Sequence, residues 1–377
     1  MTIHKLPFRD YHLLAILQLH DHSPLPLDLL ISNYFRSHSA LGSKDRAYIA
    51  DTLYSLIRWK GLLDAHLSHP NWQERLSLYQ TQSLSILQAK PNLSYAEKWS
   101  FPEELFQLLV RDYGEEKAIS IASTSNTTAP ATVRVNTLKI SRDALFTKWE
   151  PLYRTTLRSV AKNGIVFTEK THFFSMPDFV AGYFEVQDEG SQILADLMDP
   201  KPGEWALDYC AGSGGKTLAF ASKMEGKGQI FLHDVRKIAL SQAKKRLKRA
   251  GIQNAQFHLP ESEGLKKLKR KVDWVLVDAP CSGTGTLRRN PDMKWKFQKE
   301  HLLSVVQEQR HIFEKALQFV KPSGHIIYAT CSLLSEENEE QVTHFLKTYS
   351  LEIEKVLKLE LTLGGMDGFF GVVFKKI

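Results

Sequence analysis

Between Ser43 and Leu63 the apolar residues Ile49, Leu53, Leu56 and Ile57 fall at i, i+4, i+7 and i+8, the spacing of one helix face. Ser43 stands where an N-cap belongs, so a helix is expected over Lys44–Leu63. The helical pattern runs from Asp10 to about Ser125 and is broken by Pro24, Pro26 and Pro70, which predicts separate helices. The pattern then changes. Residues 126–134 (NTTAPATVR) are small, polar and β-branched, as in a linker entering a strand. Thr132–Leu138 alternates with a period of two, a helix is expected over Ser141–Leu152, and Gly182–Val186 alternates again. From Gln187 onward, short apolar runs at 205–210 (WALDYC), 229–234 (QIFLHD), 272–280 (VDWVLVDAP) and 325–331 (HIIYATC) follow one another. Helix-like stretches at Ile238–Ala250 and His301–Val320 lie between them. Strands alternating with helices predict a mostly parallel, doubly wound sheet.

Three domains are therefore expected: a helical one over 1–125, a small α/β module over 126–186 and a larger α/β domain over 187–377. In a doubly wound sheet, ligands bind outside the carboxyl ends of the strands. Asp208, Asp234, Asp278, Cys281 and Cys331 all fall at or just past those ends.

Composition narrows the function classes. With 43% hydrophobic and 24% charged residues the chain is neither disordered nor collagen-like. No apolar run approaches the ~20 residues that span a bilayer. The opening MTIHKLPFRDYHLLAILQLHDH also lacks the apolar stretch of a signal peptide, so a cytoplasmic protein without a membrane partner is expected. Three cysteines without paired spacing argue against a disulfide framework. No cysteine–histidine pair has zinc-ligand spacing, and no metal is expected. The net charge of +7 is clumped at Lys244, Lys245, Arg246, Lys248 and Arg249, and again at Lys266, Lys267, Lys269, Arg270 and Lys271. Such clumps either neutralise nucleic-acid phosphates or simply solvate a helix face.

The segment LDYCAGSGGKTLAFA (207–221) reads as strand, glycine turn and helix. Gly212, Gly214 and Gly215 let the backbone come close to a ligand. A P-loop would need a glycine where Cys210 stands. An adenosine pocket fits better, because Asp234 ends the next strand, where an acid can bind ribose hydroxyls. The dinucleotide glycine register and a second nucleotide-binding half are both missing, which favours S-adenosylmethionine over NAD. Cys281 and Cys331 follow two strands whose ends could be neighbours, so both sulfurs could face one pocket. A lone buried cysteine such as Cys210 reads as an inert small hydrophobe, but this pair reads as functional.

Taken together, DYCAGSGGKT, Asp234, DAPCSGTGTLRRNPDMKW (278–295) and YATCSLLSEENEEQV (328–342) resemble the RNA (cytosine-5)-methyltransferases of the Nol/Nop2/Sun family, most of all the bacterial Sun-type, RsmB-like ribosomal RNA enzymes. QDEGSQ (187–192) and the terminal DGFF (367–370) are similar to that family as well, and SKDRAYIADTLYSLIRW (43–59) is similar to its NusB-like RNA-binding domain. The resemblance implies a Rossmann-like, S-adenosylmethionine-dependent methyltransferase domain, preceded by an all-α NusB-like domain and a small α/β module. It implies formation of 5-methylcytosine in RNA, 16S ribosomal RNA foremost and transfer RNA as the alternative. A monomer is expected. The reading from another class is a non-catalytic RNA-binding ribosome assembly factor.

By the resemblance, Cys331 adds to cytosine C6, Asp278 stabilises the ring near N3, and Cys281 assists loss of the C5 proton and product release. Lys216 and the cationic cofactor are expected to favour the Cys331 thiolate. Cofactor contacts fall to Cys210, Ala211, Gly212, Ser213, Gly214, Gly215, Lys216, Asp234 and Asp278, with Glu261 where the family has an aspartate near the adenine. RNA contacts fall to Arg134, Asn136, Arg288, Arg289 and Lys294. The chain departs from the family's CAAPGGKT at Gly212 and Ser213, which is expected to loosen the turn.

Overall fold

The structure, a computed structural model, describes residues 6–157 and 160–377; the first five residues of the helical domain, which also open the stretch read for a signal peptide, lie outside it. The chain forms two compact units. One comprises the residues up to Thr127 together with Leu287–Lys299, and the other Thr128–Thr286 with Glu300–Ile377.

The first unit is built on helices, among them Phe8–Asp21, Leu27–Ser37, Ser43–Arg58, Glu103–Tyr113 and Glu115–Ser125. Ile49, Leu53, Leu56 and Ile57 are buried together with Leu13, Ile16, Leu17 and Leu62 in one core. The helix expected over Lys44–Leu63 starts at Ser43, behind Gly42, whose N–H donates to the Asp45 carboxylate at 3.3 Å. It breaks at Trp59, and Lys60–Asp64 continues as a separate short helix. The distant segment Leu287–Lys299 belongs here because its side chains satisfy helix-end carbonyls. Trp295 donates its indole N–H to the Ile57 carbonyl (2.7 Å), and the Lys294 ammonium donates to the Arg58 carbonyl and to Asn126 Oδ1 (both 2.8 Å).

The second unit contains two sheets. β1 (Ala131–Val135), β2 (Thr155–Leu157), β3 (Gly164–Phe167) and β4 (Phe184–Val186) form an antiparallel sheet in the order β2-β3-β1-β4. The helix Arg142–Trp149 covers it with Leu145 and Trp149, and Ser141 caps that helix by accepting the Ala144 N–H at 3.2 Å. The larger sheet comprises β5 (Trp205–Asp208), β6 (Gln229–His233), β7 (Ala255–His258), β8 (Val272–Asp278), β9 (Val320–Thr330), β10 (Leu351–Leu359) and β11 (Phe369–Lys376). Its order is β10-β11-β9-β8-β5-β6-β7, parallel from β9 to β7, with β11 antiparallel to both neighbours. This is the Rossmann-like, doubly wound sheet that the resemblance implies.

Alternate residues of its strands enter opposite cores. Ala206, Ile230, Leu276 and Ile327 pack under Leu240, Ala243 and Leu247 of the helix Lys237–Ala250. Leu207, Phe231, Val275 and Tyr328 pack under Phe313 and Ala316 of the helix Lys299–Leu317. Burial on both faces explains why these strands read as continuous apolar runs. The strand order reverses between β5 and β8, and a doubly wound sheet opens a crevice at that point. Among the described residues no helix is long and apolar enough to cross a membrane. Nor does any group of three or more metal-ligating side chains come together among them.

Candidate active site and cofactor cavity

At the carboxyl ends of β5, β6 and β8 lies a cavity of about 950 Å³. All the cofactor residues expected from the sequence line it except Gly214. Gly214 has another role: it takes left-handed backbone (φ +80°), and a Cβ there would meet Leu247 at 3.0 Å and Ala243 at 3.2 Å. It is the position at which the turn presses onto the helix Lys237–Ala250. Ser213, where the family has proline, does not leave the turn loose. Arg246 donates to both its hydroxyl (2.7 Å) and its carbonyl (2.9 Å), and is itself paired with Glu185 at 3.0 Å.

Asp234, one residue past β6, is almost fully buried and accepts from the Gly212 N–H and the Arg236 N–H, both at 2.8 Å. Burial alone would raise its carboxyl, but the Arg236 guanidinium and these N–H donors hold it below the usual range. The exposed Val235 adds an apolar wall beside it. Glu261 sits at the rim in left-handed backbone (φ +60°), its carboxylate in solvent 4.0 Å from Lys266. Asp208 is deeper. One oxygen accepts the Thr217 hydroxyl at 2.6 Å, the other is buried without a hydrogen-bond partner, and burial pushes the carboxyl up to about 7. A lone buried acceptor on a cavity wall suits a ligand that brings its own positive charge.

Lys216 and Asp278 form an ion pair of 2.5 Å at the cavity's inner end. Burial favours the neutral amine, yet Asp278 keeps the Lys216 ammonium above its ordinary value. Cys281 and Cys331 are brought together as the strand order implies, since β8 and β9 run parallel with Asp278 opposite Ala329. Both are free thiols, half-buried, with their sulfurs 3.3 Å apart. The hydrogen bond with Cys281 lowers the Cys331 thiol, against burial and the Asp278 charge, and Lys216 adds to the lowering. Cys281 is pushed well above its ordinary value by the same bond and by burial. Among the influences that lower Cys331, the neighbouring thiol stands ahead of Lys216.

The two loops are also tied to each other. Gly285 N–H donates to the Cys331 carbonyl (2.8 Å) and Leu333 N–H to the Thr284 hydroxyl (2.8 Å). A Cβ on Gly285 would fall 2.2 Å from the Gly368 carbonyl, which is how closely the DGFF segment approaches this loop.

The residues expected to meet RNA are placed otherwise. Arg134, on β1 and only 6% exposed, donates to Gln187 and to the Gly215 carbonyl (3.1 Å), bracing the cofactor turn from behind. Burial brings its guanidinium down to about 10. Asn136 donates to the carbonyls of Gly182 and Ala250, both at 2.9 Å. Arg288 and Lys294 are buried in the helical unit, and Arg289 is half-buried there. The Lys294 ammonium lies 4.8 Å from the Phe101 ring, and burial beside Arg58 pushes it well below its ordinary value. Arg134, Asn136 and Lys294 thus spend donors on protein acceptors, and Arg288 is buried. Sequence reasoning also missed Glu337, a fully buried acid beside the thiol loops. The sequence carries it only inside the run YATCSLLSEENEEQV, with no role of its own.

Residues 195–363 match the 16S rRNA methyltransferase RsmB/F family, and residues 101–172 match an RsmF/B-like methyltransferase ferredoxin-like domain. The chain is 32% identical over 329 residues to the ribosomal RNA small subunit methyltransferase B of Vibrio vulnificus (strain YJ016), covering 85% of this chain and 74% of that protein. It is 31% identical over 277 residues to a Synechocystis protein named "Probable ribosomal RNA small subunit methyltransferase B", covering 72% of this chain and 61% of that protein's length. A crystal structure of a methyltransferase homolog protein from Pyrococcus horikoshii superposes with a TM-score of 0.67 at 27% identity, over 76% of this chain and 100% of that chain. S-adenosylmethionine is the cofactor, and Asp234 at the end of β6 and the unpartnered oxygen of Asp208 fit its ribose hydroxyls and its positive charge. On its alignment with the Vibrio protein and the match of its doubly wound domain, the chain belongs to the RsmB/F family of 16S rRNA methyltransferases.

Proposed function

We propose that the chain methylates C5 of a cytosine in RNA, small-subunit ribosomal RNA foremost, through a covalent bond between Cys331 and C6. The observation that carries this reading is the pair of free thiols 3.3 Å apart beside the Lys216–Asp278 ion pair. Cytosine C5 is a poor nucleophile until a thiolate adds to C6 and makes C5 enamine-like. Cys331 supplies the thiolate, favoured by the Cys281 S–H and the Lys216 ammonium. As electron density builds at N3, Asp278, oriented by Lys216, must carry a proton to donate there, and it takes that proton back when the C5–C6 double bond is restored. S-adenosylmethionine, when bound, supplies an electrophilic methyl group from its sulfonium.

Release needs a base for the C5 proton; the C–H electron pair restores the C5–C6 double bond as the Cys331 sulfur departs. Cys281 suits this task. Its thiol is held protonated chiefly by the bond to Cys331, and that reason disappears once Cys331 is bonded to carbon. The target base must be unstacked for attack at C6, so single-stranded or flipped cytosine is the substrate form.

The test is methyl transfer from labelled S-adenosylmethionine to unmodified small-subunit ribosomal RNA and to transfer RNA. Wild-type protein should label RNA, Cys281→Ala should accumulate a protein–RNA adduct, and Cys331→Ala should form none. An adduct that survives in Cys331→Ala would overturn the assignment of roles. Wild-type binding of RNA without transfer would favour an assembly factor.

A further inference from the structure

Glu337 is fully buried, and among the described residues its carboxylate meets donors rather than a cation. It accepts the Ser282 N–H (2.8 Å), the Ser282 hydroxyl (2.5 Å), the Gln309 side-chain amide (3.0 Å) and the Ser332 hydroxyl. Ser282 follows Cys281 in the chain, and Ser332 follows Cys331. Asn338 completes the arrangement: its Oδ1 accepts the Thr330 hydroxyl (2.6 Å) and its Nδ2 donates to the Ser332 carbonyl (2.9 Å), so Cys331 is held from both sides. Gln309 also donates to the Pro280 carbonyl at 3.0 Å, just before Cys281.

An unpaired carboxylate out of water is costly, and a packing role alone would be filled by an apolar side chain. What an apolar side chain cannot do is accept four hydrogen bonds from three separate segments, and a carboxylate can. We infer that Glu337 is a positioning residue that fixes the separation and orientation of Cys281 and Cys331 by clamping the residues that follow them. The inference rests on the reading of these thiols as the reacting pair.

The test reads thiol geometry independently of catalysis. Phenylarsine oxide bonds two sulfurs at once, losing its oxygen as water, and does so tightly only when the sulfurs are close. Wild-type protein should capture it across Cys281 and Cys331, as located by mass spectrometry. In Glu337→Gln, capture should weaken about 10-fold and methyl-transfer kcat should fall about 100-fold, with unchanged KM for S-adenosylmethionine and unchanged circular dichroism. The double variant Ser282→Ala/Ser332→Ala keeps the carboxylate but removes two of its donors. It should weaken capture in the same direction, and it decides the matter if Glu337→Gln does not fold. Wild-type-like capture in folded Glu337→Gln or in the double variant overturns the proposal, as does failure of the wild-type pair to capture the reagent. If capture is strong in wild type and weak in Glu337→Gln, yet no RNA is methylated, the cytosine-5 reading fails and the positioning role stands.

Discussion

Burial lifts the Asp208 carboxyl to about 7, from about 4 in an unfolded chain. Between those pH values the folded protein holds a proton that the unfolded chain has lost, so stability falls as pH rises from about 4 to 7. Above 7 the cost is complete. Asp208→Asn keeps an acceptor for the Thr217 hydroxyl and removes the charge. It is therefore expected to stabilise the cofactor-free protein by on the order of 2 kcal/mol at pH 8 and by little near pH 4, as read from thermal melts across pH. The same change should weaken S-adenosylmethionine binding, because the wild-type cost is the reserve that a cationic ligand draws on. A variant more stable at pH 8 with undiminished cofactor affinity would contradict this account. Stability and function pull in opposite directions at this one side chain.

Among the elements, β1 acts furthest from its own sheet. Arg134 on the inner strand β1 and Gln187, just past the edge strand β4, both reach the Gly215 carbonyl, at 3.1 and 3.4 Å. Arg134→Ala should therefore weaken S-adenosylmethionine binding about 10-fold in calorimetry without RNA present. An unchanged cofactor affinity with weaker RNA binding would return Arg134 to the role first expected of it. That role was a fair reading of TVRVN, since nothing local distinguishes an arginine facing solvent from one facing a turn 81 residues away. β5, β6, β8 and β9 were legible because burial on both faces makes them apolar throughout. β7, with Gln256 and His258 around one phenylalanine, lies at the sheet edge, where little apolar character is demanded. β10 alternates but is mostly exposed, and β3 is four residues long. The expected helix over His301–Val320 ends at Leu317 because Val320 already pairs with Val272 in β9. The thiol pair was legible because strand order alone puts both sulfurs at one end of the sheet. Glu337 was not, because its meaning lies in donors from three segments.

At the scale of the molecule, the net charge of +7 divides into spent and available cations. Arg246 and Arg249 pair with Glu185, and Arg249 also lies 3.8 Å over the Phe179 ring, whereas Lys244, Lys245 and Lys248 stand exposed on the same helix. Replacing these three lysines with alanine should reduce the slope of log RNA affinity against log salt by about 2, while Lys294→Ala should leave the slope unchanged and lower the melting temperature. A slope altered by Lys294→Ala would place that ammonium on RNA after all. Lys294 belongs instead to the segment Leu287–Lys299, which completes a unit whose other part ends at Thr127. A Cβ on Gly61 would lie 2.7 Å from the Trp295 ring, so this late segment packs directly against the backbone of the helical unit. During synthesis, then, the helices emerge well before Trp295 can cover Gly61. Between those two moments the strands β5–β8 are translated, so the two units' chain segments are interleaved in the order in which they are made.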